Sequence, residues 1–191
     1  MNEQAPLYLG LIHYPIRNKR DEVVATSVTN MDIHDISRSC RTFGVNTYFI
    51  VTPMQAQHRV VGQILGHWEA EKQFAYNPDR QEALKKTFLI ESFEDAYKAI
   101  EEKEGEAPLV VATGANFQGP DFTVQQMRDQ RKIDKRPLFL LFGTGWGLHA
   151  RILERAHHFL EPIAGASEDG YNHLSVRSAV AIYLDKLCSG L

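Results

Sequence analysis

Residues 137–160 read PLFLLFGTGWGLHARILERAHHFL. An apolar run ends at Phe142, the glycines Gly143, Gly145 and Gly147 follow in alternation, and an amphipathic helical pattern begins behind them. Glycine accepts positive φ and lets a ligand approach the backbone closely. The amides of such a turn, at a helix start, suit carboxylate or phosphate oxygens. A structural tight turn needs one glycine, so three favour a ligand-binding loop over a purely structural one. No GK[ST] follows, which excludes a P-loop, and the GxGxG spacing departs from the dinucleotide fingerprint GxGxxG. A Rossmann domain also carries its glycine loop after its first strand. Here only a helix, a short strand and a last helix remain, so the loop belongs to the end of the sheet. A nicotinamide-dependent oxidoreductase, which would also need an acidic ribose partner in a following strand, is therefore the weaker reading.

Two basic runs, RNKR at residues 17–20 and RDQRKIDKR at residues 128–136, are the candidates for phosphate contact. The formal net charge is −3, so a nucleic-acid partner rests on such local surfaces and not on overall charge. The eight histidines are scattered and HARILERAHH lacks HExxH, so no metal site is expected.

These residues need a scaffold. Apolar β-rich runs alternate with helical patterns, which predicts an α/β fold with a largely parallel sheet and helices on both faces. Strands are expected at Leu7–His13, Thr47–Val51, Thr87–Ile90, Leu109–Ala112 and Leu138–Phe142, with a short sixth at Phe159–Ile163. Most are continuously apolar, as strands covered on both faces must be. A helix starting near Asp32 and Asp35 should run to about Phe43 and stop at Gly44. Thr52, Pro53 and Gln55 spell a capping box for a second, with Val61, Ile64, Leu65 and Trp68 on one face. Ser92 starts a third and Thr123 with Gln126 caps a fourth. Two more follow the strand at Leu138 and the run ending at Ile163. The polar stretch from Glu69 to Lys86 reads as a partly helical surface connection. The segment Asn18–Asn30 reads as a mobile loop over the site. The last helix, with Asn172 as its expected cap, carries Leu174, Val176, Val180, Ile182, Tyr183, Leu184 and Leu187. It must be buried against the domain, a second subunit, or both.

A chain of 191 residues, 43% hydrophobic and 24% charged, can bury a core as one domain, and nothing marks a boundary within it. No signal peptide or bilayer-length apolar run is evident. The two cysteines, Cys40 and Cys188, lie far apart, which suits a reduced cytoplasmic protein.

Taken in order, three segments resemble the motifs of the SPOUT (α/β-knot) RNA methyltransferases. TNMDIHDISRSCRTFGV, with Arg38 and Arg41, resembles the first; LFLLFGTGWGL resembles the second; EPIAG with YNHLSVRSAVAI resembles the third, which is the most specific. The likeness covers most of the chain. Within the class it is similar to a compact bacterial branch related to the tRNA (guanine-N1) methyltransferases, without their appended helical domain. The resemblance implies a C-terminal deep trefoil knot, against the default of un-knotted connections. It also implies a homodimer, S-adenosylmethionine as cofactor, and an RNA substrate, tRNA or rRNA, methylated on a base nitrogen or a ribose 2′-hydroxyl. The cofactor pocket it implies consists of Thr113 and Gly114, Phe142, Gly143, Thr144, Gly145, Trp146, Gly147 and Leu148, Ile163 and Gly165, and Asn172, His173, Leu174 and Ser175. The chain departs from the guanine-N1 pattern in the second motif, where Gly145 and Trp146 replace an acidic residue, and no clear counterpart exists for an Asp of the third.

On this reading Arg38, Arg177 and Asn172 are the catalytic candidates. Arg38 suits a phosphate or the acceptor, or else an ion pair with Asp35. Arg177 suits substrate across a dimer, or an interface salt bridge. Asn172 and Ser175 suit a ligand, or capping; His173 suits a proton, or a plain loop position. Trp146 suits stacking on adenine or a base, or covering the core. The remaining alternative is a non-catalytic knotted protein that binds a nucleotide or RNA.

Overall fold

The computed structural model describes residues 4–70 and 77–189. Six parallel strands, β1 (Leu7–Ile12), β4 (Thr47–Val51), β5 (Thr87–Ile90), β6 (Leu109–Ala112), β7 (Leu138–Gly143) and β8 (His158–Phe159), form one sheet in the order β5-β4-β1-β7-β6-β8. A separate hairpin pairs β2 (Ile16–Arg17) with β3 (Val23–Val24). Every residue of β1, β4 and β6 is buried, which is why their sequences are apolar without alternation. The sixth strand is shorter and earlier than Phe159–Ile163. Leu160 still bonds to Ala112 O, but Glu161 N turns to Phe122 O, and Pro162 has no N–H to give a ladder.

Alternate strand residues serve two cores. Leu7, Leu9, Leu11, Tyr48, Ile50, Leu138, Leu140 and Phe142 face α1 (Asn30–Thr42), α2 (Gln55–Ala70), α3 (Pro78–Leu84), α5 (Val124–Ile133) and α7 (Val176–Cys188). Tyr8, Ile12, Phe49, Val51, Phe139 and Leu141 face α4 (Phe93–Glu104) and α6 (Ala150–Leu153). Helices thus cover both faces. On the second face Phe139 stacks on Phe93 at 5.8 Å and meets Phe49 edge-on at 6.0 Å. Gly10 in β1 makes room for it, since a Cβ there would lie 2.9 Å from Phe139 Cε2.

The helix ends follow local chemistry where nothing competes. Thr123 and Gln126 form the expected capping box, and Gly105 closes α4 at φ 75°. α1 begins at Asn30, earlier than read, because Thr29 is the cap and Asp32 its reciprocal partner. The capping box expected from Thr52 and Gln55 does not form. Thr52 is held in the sheet by its N–H on Ile90 O (3.0 Å), and the Gln55 amide reaches Glu91 (3.3 Å). Asn172 is not the cap of α7; Ser175 is, accepting from Ser178 N at 3.3 Å. The expected helix behind the glycine loop is a single turn, α6. Between Glu69 and Lys86 the helical part includes α3, while 71–76 lie outside the described residues. Among the described residues no helix is long and apolar enough to cross a membrane, and both cysteines are free thiols.

Candidate active site

Strand order reverses at the sheet centre. From β1 the chain crosses to β4 on one side, whereas from β7 it crosses towards β8 on the other. The carboxyl ends of β1 and β7, where Ile12 lies opposite Gly143, therefore form a topological switch point, the usual place for a ligand crevice in open α/β sheets. The glycine loop starts there. It doubles back so tightly that a Cβ on Gly143 would lie 2.7 Å from Leu148 N, and Gly145 and Gly147 take φ of 56° and 103°.

The 13–29 segment braces this loop. Trp146 N donates to Arg17 O, Arg17 N to Gly147 O (3.2 Å), His149 N to Pro15 O, and Gly147 N to Thr144 O. The amides of Trp146, Gly147 and His149 are thus engaged by the protein itself, and the expected anion cradle from these groups is not what the loop builds. Segment 18–30 does lie beside the glycine loop, through the hairpin that carries it. Lys19 Nζ stands 5.2 Å from the centre of the Trp146 ring, which is 50% exposed.

Beneath the loop lies a chain of polar groups that sequence reading missed. Thr144 Oγ1 donates to Ile12 O (3.2 Å), makes a short hydrogen bond with Thr26 Oγ1, and Thr26 Oγ1 in turn meets His13 Nδ1 at 3.0 Å. His13 is fully buried, and its Nε2 has no partner. Burial pushes its pKa down to about 4, against the opposing pull of Asp32. The signal available in the sequence was position alone: His13 directly follows the apolar run of the first strand.

Asp32 links this centre to the last helix. Its Oδ2 accepts from Thr29 N (3.2 Å) and Thr29 Oγ1 (2.6 Å), while Arg177 in the first turn of α7 lies 3.8 Å from its Oδ1 and 3.5 Å from Asp35 Oδ2. Asp35 therefore pairs with Arg177 and not with Arg38. Arg38 is exposed on α1 and makes no ion pair among the described residues.

Strand order brings the starts of the other expected site segments to the same rim. Because β7, β6 and β8 are parallel neighbours, at roughly 4.8 Å per strand spacing, their carboxyl ends bring Gly143–Leu148, Thr113–Gly114 and the segment from Leu160 onward to one edge. The Thr113 hydroxyl is turned inward onto Leu141 O (2.8 Å). Ile163 packs on the core, and Gly165 approaches Tyr171 O, which a Cβ would meet at 3.2 Å. Asn172 is half-buried, whereas His173, Leu174 and Ser175 are exposed. Two half-open depressions lie elsewhere: one of about 300 Å³ beside Arg131, Asn46 and Cys188, and one of about 400 Å³ beside Trp68, Leu84 and Phe88. The rim is an open edge, and its loops carry more weight than either depression.

The two basic runs separate. Residues 128–136 are largely self-satisfied: Arg131 is buried on Ala5 O (3.1 Å), Lys132 pairs with Asp129, and Arg136 with Asp134. Ala5 precedes β1, so Arg131 lies at the end of the sheet opposite the glycine loop. RNKR lies on the hairpin beside that loop, with Lys19 and Arg20 exposed. Among the described residues no cluster of His, Cys, Asp or Glu could hold a metal ion.

Residues 6–189 match the family described as SAM-dependent RNA methyltransferase. The chain belongs to that family. Its cofactor is S-adenosylmethionine, and the fold agrees. The SpoU methyltransferase AviRb of Streptomyces viridochromogenes, solved in complex with AdoMet, superposes with a TM-score of 0.55 at 14% identity, covering 97% of this chain and 57% of that one. A tRNA (guanine-N(1)-)-methyltransferase of Oleidesulfovibrio alaskensis is 44% identical over 181 residues, 95% of this chain but 41% of that protein. An uncharacterized protein of Aquifex aeolicus is 36% identical over 183 residues, 96% of this chain and 88% of the relative. The chain thus spans about two-fifths of the tRNA methyltransferase it matches, and most of the Aquifex protein.

The rim has groups that suit the cofactor of this family. Adenine needs apolar or aromatic faces flanked by backbone polar groups. Trp146 on the glycine loop, and Tyr171 and Leu174 on the segment that follows β8, are large side chains left 50%, 65% and 43% exposed. Residues 161–175 form no helix or strand, so their backbone groups are not committed to a ladder.

Proposed function

We propose that this protein methylates tRNA at the rim where β7, β6 and β8 end. The observation that carries the reading is the meeting, at one switch point, of the glycine loop and a basic, aromatic-bearing hairpin contact. The printed name of the Oleidesulfovibrio relative supports tRNA over rRNA. The acceptor is a base nitrogen or a ribose 2′-hydroxyl.

S-adenosylmethionine, when bound, supplies a methyl group made electrophilic by the sulfonium sulfur. Residues Thr113–Gly114, Phe142–Leu148, Ile163, Gly165 and Asn172–Ser175 hold it. Arg38 supplies an exposed fork of donors for a substrate phosphate or the acceptor oxygen. Arg177, fixed by Asp32 and Asp35, sets the start of α7 so that Asn172 borders the site. Lys19 and Arg20 meet the RNA backbone beside Trp146. Positioning of the acceptor within about 3 Å of the methyl carbon is then the main catalytic contribution.

The SPOUT resemblance further supports a single catalytic domain, threading of the C-terminal segment into a trefoil knot, a homodimer and a cytoplasmic setting. The decisive experiment is transfer of labelled methyl from S-adenosylmethionine to unmodified tRNA and, in parallel, to rRNA, followed by nucleoside mass spectrometry. A methylated tRNA nucleoside supports the proposal and identifies the atom. Cofactor binding with label only in rRNA, or in no RNA, would overturn it. Sedimentation equilibrium tests the dimer.

A further inference from the structure

The hydroxyl chain under the glycine loop has a defined proton order. Ile12 O has only lone pairs, so Thr144 donates its single hydroxyl hydrogen there. Thr144 Oγ1 is then the acceptor in its bond with Thr26, and Thr26 spends its own hydrogen on it. His13 Nδ1 must therefore carry hydrogen and donate to Thr26 Oγ1 at 3.0 Å. One tautomer satisfies all three bonds, and it leaves Nε2 unprotonated inside the protein. Burial, which disfavours the imidazolium, keeps the ring in that neutral form; Asp32 is the charged group that opposes it.

Thr144 sits between Gly143 and Gly145, neither of which has a side chain to anchor. Apart from the backbone bonds to the hairpin, it is the hook that ties the glycine loop down, and His13, at the end of the neighbouring strand, orders that hook through Thr26. The backbone of His13 also holds the hairpin segment, since Thr26 N donates to His13 O (2.9 Å). The two walls of the crevice thus meet at Thr26, which bonds the His13 backbone and, through its hydroxyl, the ring and Thr144.

We propose that His13, acting through Thr26 and Thr144, is a positioning residue that sets the glycine loop for S-adenosylmethionine. This rests on the assignment of the cofactor to that loop. The first readout does not need the cofactor: long-range ¹H–¹⁵N spectra of the histidine rings should show His13 as the Nδ1–H tautomer, unchanged between about pH 5 and 8. The second is calorimetric affinity together with steady-state kinetics. Thr144→Val and His13→Leu should each weaken cofactor binding about tenfold, seen in KM, with kcat within about twofold. His13→Asn places an amide nitrogen where Nδ1 was and should restore affinity to within about threefold. Because the groups act as one unit, the double variant His13→Leu/Thr144→Val should be no worse than the weaker single. An Nε2–H tautomer, a His13 midpoint near the ordinary histidine value, or full affinity in a folded Thr144→Val protein would overturn the proposal alone. Equal damage from Asn and Leu, with affinity and melting temperature falling together, would mean that His13 only supports the fold. Failure of the wild type to bind the cofactor would overturn the cofactor assignment and this proposal with it.

Discussion

Replacing His13 by Asn should flatten the acid limb of the stability curve. In the unfolded chain this histidine titrates near 6.5; in the folded protein burial lowers its pKa to about 4. The unfolded state therefore binds a proton first, so the contribution is fully present above pH 6.5 and is lost as pH falls through the window down to about 4. At about 1.36 kcal/mol per tenfold change, the whole window is worth roughly 3 kcal/mol, and about 2 kcal/mol is lost between pH 7 and 5. That is a large share of a typical domain's net stability of about 5–15 kcal/mol. His34 and His157 are also lowered, mainly by burial, and act in the same direction. They are common to both proteins, so the difference between wild type and His13→Asn isolates His13. The assay is urea unfolding at a series of pH values, and the quantity is the slope, since the substitution also changes stability at neutral pH. Parallel curves for the two proteins between pH 7 and 5 would refute the reasoning and put a charged His13 in the native fold.

Other perturbations bear on the core, the α1–α7 joint and the RNA surface. Gly10→Ala places a Cβ 2.9 Å from Phe139 Cε2 within a stacked aromatic layer and should cost about 1–3 kcal/mol by denaturant titration; wild-type stability would mean that the layer shifts freely. Arg177→Met leaves Asp32, only 7% exposed, without its cation and should cost about 1–3 kcal/mol, with measurable coupling to Asp35→Asn; an unchanged melting temperature would show that the ion pair does not form in solution. Trp146→Ala should weaken RNA binding by about 1–3 kcal/mol, measured by fluorescence anisotropy at fixed salt. If RNA affinity holds while cofactor affinity falls, Trp146 faces the cofactor instead. Lys19→Ala should lower the slope of log affinity against log salt by about 0.7 for a single-stranded contact, and an unchanged slope would remove the hairpin from the RNA surface.

Features that depend on near neighbours along the chain were legible. The buried strands show as continuous apolar runs, and Thr123 with Gln126 needs only a helix start to bond as it does. The Thr52 cap misled because Ile90, far away in sequence, claims the Thr52 amide. The glycine loop announced itself by composition, yet the use of its amides did not: those of Trp146 and His149 are consumed by the 15–17 backbone, a pairing no spacing reveals. RNKR and RDQRKIDKR look alike as text; the fold puts the first beside the loop and turns the second onto its own carboxylates and Ala5.

By itself, the sequence determined the α/β class, the positions of five of the six sheet strands, the glycine loop behind the strand at Leu138 and, through its three ordered motifs, the methyltransferase resemblance. These follow from hydrophobic periodicity, caps and glycines, all of which act over a few residues. Only the tertiary structure decided that His13 is buried beside Thr26 and Thr144, that Arg177 belongs to Asp32 and Asp35, and which basic run faces the site. Burial, hydrogen-bond order and ion pairing depend on which strand lies next to which, and that is settled when the whole sheet assembles.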